Sequence, residues 1–174
     1  MQITVIETAA LDAVRRDEIL TLCRAAYEEE LQRYLENIGP GVHLLGHVDG
    51  VLVSHAMFVE RWLQRVSGDL LRTAYIELVA TRPDVQRKGY AGTLMRRTAE
   101  EIRAFDIGAL SPTDERIYAR LGWQTWRGPL LVRTGTSVVT SDDEGMMILR
   151  LPRTPADLSI DEPISIEWRP GEVW

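Results

Sequence analysis

The turn from Gln86 to Gly92 contains the residue types that bind a phosphate-bearing ligand. It reads Gln-Arg-Lys-Gly-Tyr-Ala-Gly and precedes a stretch in which apolar residues recur at helical spacing. The first N–H groups of a helix have no partner within the helix and lie at the positive end of its dipole, so they attract an anion. The small residues let a diphosphate approach the backbone, and the arginine and lysine add positive charge. The spacing leaves two interpretations open: an anion site, or a plain connection with solvated basic side chains.

Two predicted strands position this turn. A run rich in β-formers, from Leu70 to Thr81, leads into it, and Ile107 to Leu110 follows its helix as a brief buried strand. Thr113 is placed to cap the next helix, and Gly122 is placed to end it.

The rest of the chain is predicted to supply further strands and two helices. The ranges are Gln2–Ile6 for a strand, Leu11–Cys23 for a helix, a second helical stretch that carries Glu28, Glu29 and Glu30, Val42–Val48 and Val51–Val59 for a hairpin, and Leu130–Val132, Met146–Leu151 and Ile164–Trp168 for closing strands. The Asp49-Gly50 dipeptide favours the positive φ angles of a two-residue hairpin turn. The second helical stretch ends near Gly39, where glycine and proline stop a helix.

The composition is typical of one globular domain. The chain has 174 residues, of which 45% are hydrophobic and 26% charged, and no repeat, linker or composition shift divides it. We therefore expect a single domain over residues 1–174. The amino terminus lacks the basic and apolar regions of a secretory signal, so we expect a cytoplasmic protein that does not associate with membranes.

Charge and cysteine content exclude several classes of partner. The formal net charge is -6, from 26 acidic and 20 basic side chains, which disfavours binding to nucleic acid and suits a cationic ligand. The single cysteine, Cys23, excludes an internal disulfide and a cysteine-rich metal site. His43 and His47 are four residues apart on a predicted strand, too far apart for a compact metal site, so we expect no metal.

The turn resembles the cofactor-binding motif of the GCN5-related N-acetyltransferase (GNAT) superfamily. In that motif Gln or Arg, two residues, Gly, one residue, then Gly or Ala bind the pyrophosphate of acetyl-CoA, and Gln86, Gly89 and Ala91 fit it. The resemblance implies an α/β (α+β) GNAT fold, with a central mixed, mostly antiparallel sheet whose central strands splay apart between flanking helices. Its implied cofactor-binding residues are Leu78, Val79, Thr81, Gln86, Arg87, Lys88, Gly89, Tyr90, Ala91, Gly92 and Ser111.

Three stretches are similar to aminoglycoside 2′-N-acetyltransferases, including the branch that acetylates kasugamycin. They are Tyr75–Ala80, Ile117–Trp123 and Glu167–Trp174. This resemblance implies transfer of an acetyl group to the 2′-amine of an aminoglycoside-type antibiotic, and hence drug resistance. An acetyltransferase for another small amine, such as a polyamine or a cell-wall intermediate, and a non-catalytic acetyl-CoA-binding module are the alternatives.

The same resemblance implies the two residues that move protons. Glu77 would act as the general base, through a water, and Tyr118 would protonate the sulfur of the departing coenzyme A. The alternative for Glu77 is a carboxylate on the solvated face of a sheet, and for Tyr118 an aromatic residue that packs on the core.

The acceptor pocket is implied less directly. Glu30, Asp142, Asp143 and Glu172 are acidic candidates for binding ammonium groups, and each has a solvated alternative. The terminal carboxylate of Trp174 would hold the reacting amine, and the apolar ending argues against fraying. The resemblance also implies that homodimers occur, with the tail strands as a plausible interface.

Overall fold

The computed structural model describes residues 1–135, 137–141, 145–171 and 173–174. Its strands are β1 (Gln2–Glu7), β2 (Val42–Val48), β3 (Val51–Arg65), β4 (Leu70–Thr81), β5 (Ile107–Leu110), β6 (Gln124–Thr125), β7 (Leu130–Thr134), β8 (Ser137–Thr140), β9 (Met147–Arg150) and β10 (Ile164–Glu167). Its α-helices are α1 (Ala13–Tyr27), α2 (Gln32–Ile38), α3 (Tyr90–Glu101) and α4 (Glu115–Ala119), and short 3₁₀ helices cover Thr8–Ala10 and Pro83–Val85. None of the helices in these ranges is long and apolar enough to cross a membrane.

The backbone divides into two compact units, of which the first comprises Met1–Val59 and Ile76–Glu100. In it β1, β2 and β3 are antiparallel neighbours, and β4 is hydrogen-bonded to β3. The hairpin between β2 and β3 turns at Asp49, with φ 51°, and Gly50, with φ 79°. Two consecutive left-handed residues are what a two-residue hairpin turn requires, so the predicted hairpin is confirmed.

The second unit comprises Glu60–Tyr75 and Glu101–Trp174. Its strands follow the order β6-β9-β5-β4-β3-β10-β7-β8, and β3 and β4 are the two strands that contribute to both units. β5 runs parallel to β4 and β10 runs parallel to β7, whereas β10 with β3, β9 with β5 and with β6, and β8 with β7 are antiparallel. The predicted α/β class, with a mixed and mostly antiparallel sheet, is confirmed.

Each unit has its own buried apolar residues. In the first unit α3 buries Leu94, Met95 and Thr98, the face that helical periodicity predicts. In the second, β5 is buried along its whole length, and Ile148 of β9 is fully covered. A strand with both faces covered reads as a short continuous apolar run, which is why Ile107–Leu110 is recognisable from the sequence.

The structure corrects the predicted place of Glu28, Glu29 and Glu30. These residues do not belong to the second helix, because they lie in the connection between α1 and α2. Glu28 has φ 60°, and its N–H donates to the carbonyl of Arg24, so it caps the carboxyl end of α1 in the left-handed conformation. The first helix is therefore longer than its apolar pattern predicts, and α2 starts later.

A second correction concerns the start of α4. Asp114, rather than the predicted Thr113, is the N-cap residue, and its carboxylate accepts from the backbone N–H of Arg116. Aspartate and threonine are both good caps, so the sequence could not separate two neighbours. Gly122 follows the helix with φ 89°, which agrees with its predicted role in ending it.

Candidate active site

β4 changes its backbone conformation at Leu78. This residue has φ 50°, which is the left-handed region, although it is neither glycine nor in a turn. Such a conformation costs on the order of 1–3 kcal/mol and persists where the surroundings determine it. We call this left-handed position inside β4 the bulge at Leu78, because such residues are typical of β-bulges.

Glu77, immediately before the bulge, is buried, with only 6% of the residue exposed. The alternative that it lies on a solvated face is therefore wrong. The hydroxyl of Tyr34, in α2, donates a hydrogen bond of 2.7 Å to Oε2 of Glu77. Sequence reasoning missed Tyr34, because a contact between residues 43 positions apart leaves no signal in local spacing.

The three carbonyls that follow Glu77 each accept a hydrogen bond from a side chain of the same unit. The pairs are Leu78 O with His55 Nδ1 at 2.9 Å, Val79 O with Tyr27 Oη at 3.0 Å, and Ala80 O with Ser54 Oγ at 3.0 Å. These donors come from α1 and β3. The carboxyl-terminal half of β4 is thus oriented by side chains in addition to its strand neighbour.

The turn after β4 presents a concave run of backbone. Arg87 has φ 65° and Gly89 has φ 84°, so left-handed residues alternate with others, the arrangement that forms anion-binding nests. The N–H of Thr93 donates to the carbonyl of Gly89 at 3.0 Å, so the N–H groups just before it have no carbonyl four residues back within α3. Gln86 Nε2 donates to the carbonyl of Thr81 at 3.3 Å and links the turn to the end of β4.

The space around this turn suits close approach of a ligand to the backbone. A Cβ added at Gly89 would meet no atom within 4 Å, and Arg87 and Lys88 are exposed. The open approach, the basic side chains and the start of a helix of 12 residues fit a pyrophosphate group. The geometry of Gln86–Gly92 is therefore compatible with a bound pyrophosphate group.

Ser111 and Tyr118 belong to the second unit, whereas Glu77 and the turn belong to the first. Ser111 directly follows β5, and its Oγ lies 2.9 Å from the hydroxyl of Tyr75. The pairing of β4 with β5 extends as far as Tyr75, which lies opposite Ala109. Beyond Tyr75, β4 continues to Thr81. Ser111 is therefore at the point where this pairing ends.

Tyr118 is half-buried on α4 and packs edge-on against Trp123, with ring centroids 6.2 Å apart. Burial, and secondly the negative charge of Asp114, raise the pKa of its phenol to about 12. The phenol is protonated near neutral pH, as an unshifted phenol would be, and the raised pKa makes it a weaker proton donor. The ring also packs against Trp123, as the alternative interpretation predicts. Packing of the ring and proton donation by the hydroxyl are compatible with each other.

The carboxyl-terminal segment is anchored by Arg61. The guanidinium of this buried arginine donates to Oε1 of Glu167 at 2.7 Å, to the carbonyl of Glu167 at 2.6 Å and to the carbonyl of Val173 at 3.2 Å. Trp174 is 4% exposed, which agrees with the expectation that the apolar ending is not frayed.

The acidic candidates for the acceptor are only partly placed. Glu30 is exposed and forms an ion pair of 2.7 Å with Arg24, so the structure gives it a partner within the chain. Asp142, Asp143 and Glu172 lie outside the described residues. Within the described part of the chain, no group of three or more His, Cys, Asp or Glu side chains is arranged to hold a metal ion.

Comparison with known proteins identifies the architecture. A family model described as an acetyltransferase (GNAT) domain matches residues 10–126. The chain is similar to the GNAT family N-acetyltransferase YhbS from Escherichia coli in complex with CoA, at 14% identity and a TM-score of 0.62, over 95% of this chain and 90% of that chain. It is also similar to a GNAT family acetyltransferase from Brucella melitensis in complex with acetyl-CoA, at 14% identity and a TM-score of 0.57, over 94% of each chain.

A further similar structure is Eis1 from Mycobacterium abscessus, at 20% identity and a TM-score of 0.59. The match covers 71% of this chain but only 31% of that chain, so the chain spans about a third of the length of this larger protein. At these identities the structures show a shared fold.

Proposed function

The chain belongs to the acetyltransferase (GNAT) family, and from that premise we propose that it transfers an acetyl group from acetyl-CoA to a small cationic amine. The leading acceptor class is an aminoglycoside-type antibiotic acetylated at its 2′-amine, kasugamycin included. The observation that carries the proposal is the turn from Gln86 to Gly92, where left-handed residues and a helix start converge.

This turn would hold the cofactor through its pyrophosphate. Arg87 and Lys88 would add charge to the backbone donors, and Leu78, Val79, Thr81 and Ser111 would supply the strand edges for the pantetheine arm. Bound acetyl-CoA supplies the acetyl group as a thioester that an amine can attack. No metal takes part in the proposed transfer.

Glu77 would accept the proton of the acceptor amine, with a water between the two. Its burial and its hydrogen bond from Tyr34 support this role, because a general base must keep one orientation while the proton moves. Burial of a carboxyl group needs hydrogen-bond partners that offset its desolvation. Tyr34 is one such partner.

Tyr118 would give its proton to the departing thiolate. A phenol is protonated before the transfer, and the packing against Trp123 orients the ring. The carboxylate at Trp174 and the acidic residues Glu30, Asp142, Asp143 and Glu172 remain the proposed contacts for the ammonium groups of the acceptor. Self-association into a dimer remains a prediction that sedimentation can test.

Thiol release tests the proposal directly. The protein is incubated with acetyl-CoA and, one at a time, aminoglycosides, kasugamycin, spermidine and an amino sugar of the cell wall, while free thiol is followed. We expect release with an aminoglycoside or kasugamycin and a product acetylated at the 2′-amine. Release of thiol with spermidine or the amino sugar alone would show that the acceptor is another amine and not an aminoglycoside. No release of thiol with any of these amines would contradict the proposed transfer.

Two variants separate catalysis from simple cofactor binding. Glu77→Gln and Tyr118→Phe should each lower kcat by about 10²–10⁴-fold, the usual contribution of a general base or acid, with unchanged affinity for coenzyme A. Glu36→Gln, an exposed carboxylate on α2, is the matched control and should retain activity. Coenzyme A binding without turnover in the parent protein would favour the non-catalytic binding module instead.

A further inference from the structure

A series of hydrogen bonds through two buried histidines connects Thr8 to the bulge in β4. Thr8 Oγ1 lies 3.0 Å from His43 Nε2, His43 Nδ1 lies 3.0 Å from His55 Nε2, and His55 Nδ1 lies 2.9 Å from the carbonyl oxygen of Leu78. Both histidines have no exposed surface. Neither the proposed role of Glu77 nor that of the turn Gln86–Gly92 explains why these hydrogen bonds are present.

With both rings neutral, the hydrogen bond to Leu78 fixes the direction of the other two. A carbonyl oxygen carries no hydrogen, so Nδ1 of His55 must be the donor to Leu78. A neutral imidazole has one donor and one acceptor, so Nε2 of His55 accepts from Nδ1–H of His43, and Nε2 of His43 in turn accepts from the hydroxyl of Thr8. That hydroxyl also lies 3.0 Å from the carbonyl of Gly41, which has the backbone N–H of Thr8 as a second donor. Every donor then points toward the bulge, and both histidines have the Nδ1–H tautomer.

The surroundings keep the pair neutral. Burial lowers the pKa of His55 to about 3, with His43 as a smaller cause, and burial and the charge of Arg16 lower the pKa of His43 to about 4. Cys23 of α1 lies 3.9 Å from His55 Nδ1, and burial raises the pKa of its thiol to about 12, so it stays uncharged. A charged imidazolium at either position would have donors on both nitrogens and would reverse the direction of the bonds between that ring and Thr8.

A metal-binding interpretation of these side chains conflicts with the geometry. The two facing ring nitrogens are 3.0 Å apart, a hydrogen-bond distance, whereas a metal between them would need about 2 Å to each. The ring nitrogen nearest to Cys23 already faces the Leu78 carbonyl. The two histidines therefore form a hydrogen-bonded pair and not a metal site.

We propose that His55, oriented by His43 and Thr8, is a positioning residue that holds the Leu78 carbonyl and so fixes the bulge between Glu77 and Val79. The peptide joining Leu78 to Val79 is planar, so fixing its carbonyl also fixes the Val79 N–H. The two neighbours of the bulge are the proposed base and a proposed cofactor contact. The effect on catalysis rests on the proposed function. The arrangement of hydrogen bonds is independent of that function.

Nitrogen-15 NMR of the unliganded protein tests the arrangement without any assay of activity. Long-range proton–nitrogen correlation near neutral pH distinguishes the two tautomers of each histidine, and the chain has three. We expect His43 and His55 as neutral Nδ1–H tautomers, with signals assigned by their loss in His43→Asn and His55→Asn, and His47 as the internal reference. An Nε2–H tautomer at position 55, which leaves Nδ1 without a hydrogen for the Leu78 carbonyl, would overturn the inference.

Substitutions at position 55 test the catalytic consequence. Asparagine can place an amide N–H near the position of Nδ1, whereas leucine has no donor. We expect His55→Leu to lower kcat by on the order of tenfold through displacement of the bulge, and His55→Asn to recover most of that loss. Cys23→Ala perturbs the same buried region without removing the donor and should leave kcat unchanged.

The outcomes separate this inference from the proposed function. Equal losses in His55→Leu, His55→Asn and Cys23→Ala would show a general packing defect and overturn the positioning role. If the parent protein neither binds coenzyme A nor transfers an acetyl group, the proposed function fails, and the tautomers alone decide the inference. If His55→Leu does not fold, the comparison of parent with His55→Asn and the tautomers of the parent still decide it.

Discussion

Two residues of the candidate site, Leu78 and Arg87, share a left-handed backbone that neither side chain favours, and they reach it in opposite ways. Arg87 is exposed in a turn, with Gly89 two residues on and an open approach to the backbone. Leu78 is buried inside a strand, and its carbonyl is bonded to a histidine 23 positions earlier. The turn is determined by local sequence, and the bulge by residues brought from elsewhere in the chain.

The difference suggests a division of labour within the first unit. A cofactor that enters and leaves needs exposed backbone donors, which a glycine-containing turn supplies. A proposed base needs a constant position, which a buried network of hydrogen bonds provides. Changing either the turn or the bulge, with the other region as the reference, tests this difference.

Acidification should affect the bulge most strongly. The folded-state pKa values of His43 and His55, about 4 and about 3, lie below the unfolded value of 6.5, so their contribution to stability is present above pH 6.5 and is lost as the pH falls toward 4. Near pH 5 each histidine should reduce the free energy of unfolding by about 2 kcal/mol relative to neutral pH. Urea unfolding followed by tryptophan fluorescence measures this loss.

The control for acidification is His55→Asn, which has one titrating imidazole fewer at the bulge. Its free energy of unfolding should depend less on pH over the same interval. A parent protein whose stability is the same near pH 5 as near neutral pH would show that the pair is already charged, and would remove the physical basis for the contrast.

Glycine at the two left-handed positions should have effects of opposite sign. Leu78→Gly removes a buried side chain and should lower the free energy of unfolding by about 2–3 kcal/mol, because the loss of packing exceeds the relief of strain. Arg87→Gly should raise it by up to about 1 kcal/mol, because it only relieves strain at an exposed site. Chemical denaturation checks both signs, and destabilisation by Arg87→Gly would contradict the local origin of the turn.

Gly89→Ala should weaken the proposed cofactor site. Alanine at φ 84° costs about 1–2 kcal/mol whatever space surrounds it, and relief of that strain would move the backbone donors. We expect affinity for coenzyme A, measured by calorimetry, to fall by about tenfold. Gly50→Ala is the matched control: its φ of 79° and open surroundings impose the same strain in the β2–β3 hairpin, without an effect on affinity.

Tyr34→Phe should have the smallest effect. It removes the 2.7 Å hydrogen bond to Glu77 and leaves the ring in place, a change worth about 1 kcal/mol, or roughly fivefold in kcat. The KM for acetyl-CoA should not change. Gln32→Ala, an exposed substitution on the same helix, controls for α2 itself, and an equal kcat in Tyr34→Phe and the parent would place Tyr34 outside the proposed machinery.

Much of the fold could be predicted because its signals are local. Asp49-Gly50 determines a hairpin turn through the φ angles these residues accept, and the apolar face of α3 follows from helical periodicity. Element boundaries were less accurate: Glu28 ends α1 in a left-handed conformation, and Asp114 displaces Thr113 as a cap. In both places neighbouring residues have similar propensities, so small tertiary effects decide between them.

The sequence by itself determined the turn proposed to bind the cofactor, because the proposed roles of Gln86, Gly89 and Ala91 depend on backbone conformation and a helix start, both of which are set by neighbours in the chain. Only the tertiary structure decided the surroundings of Glu77: its burial, its bond from Tyr34 and the bulge tied to His55. These depend on residues that are distant in the sequence and meet only when the strands and helices pack. A hydrogen bond between residues so far apart in the sequence leaves no periodic pattern or fixed spacing from which it could be predicted.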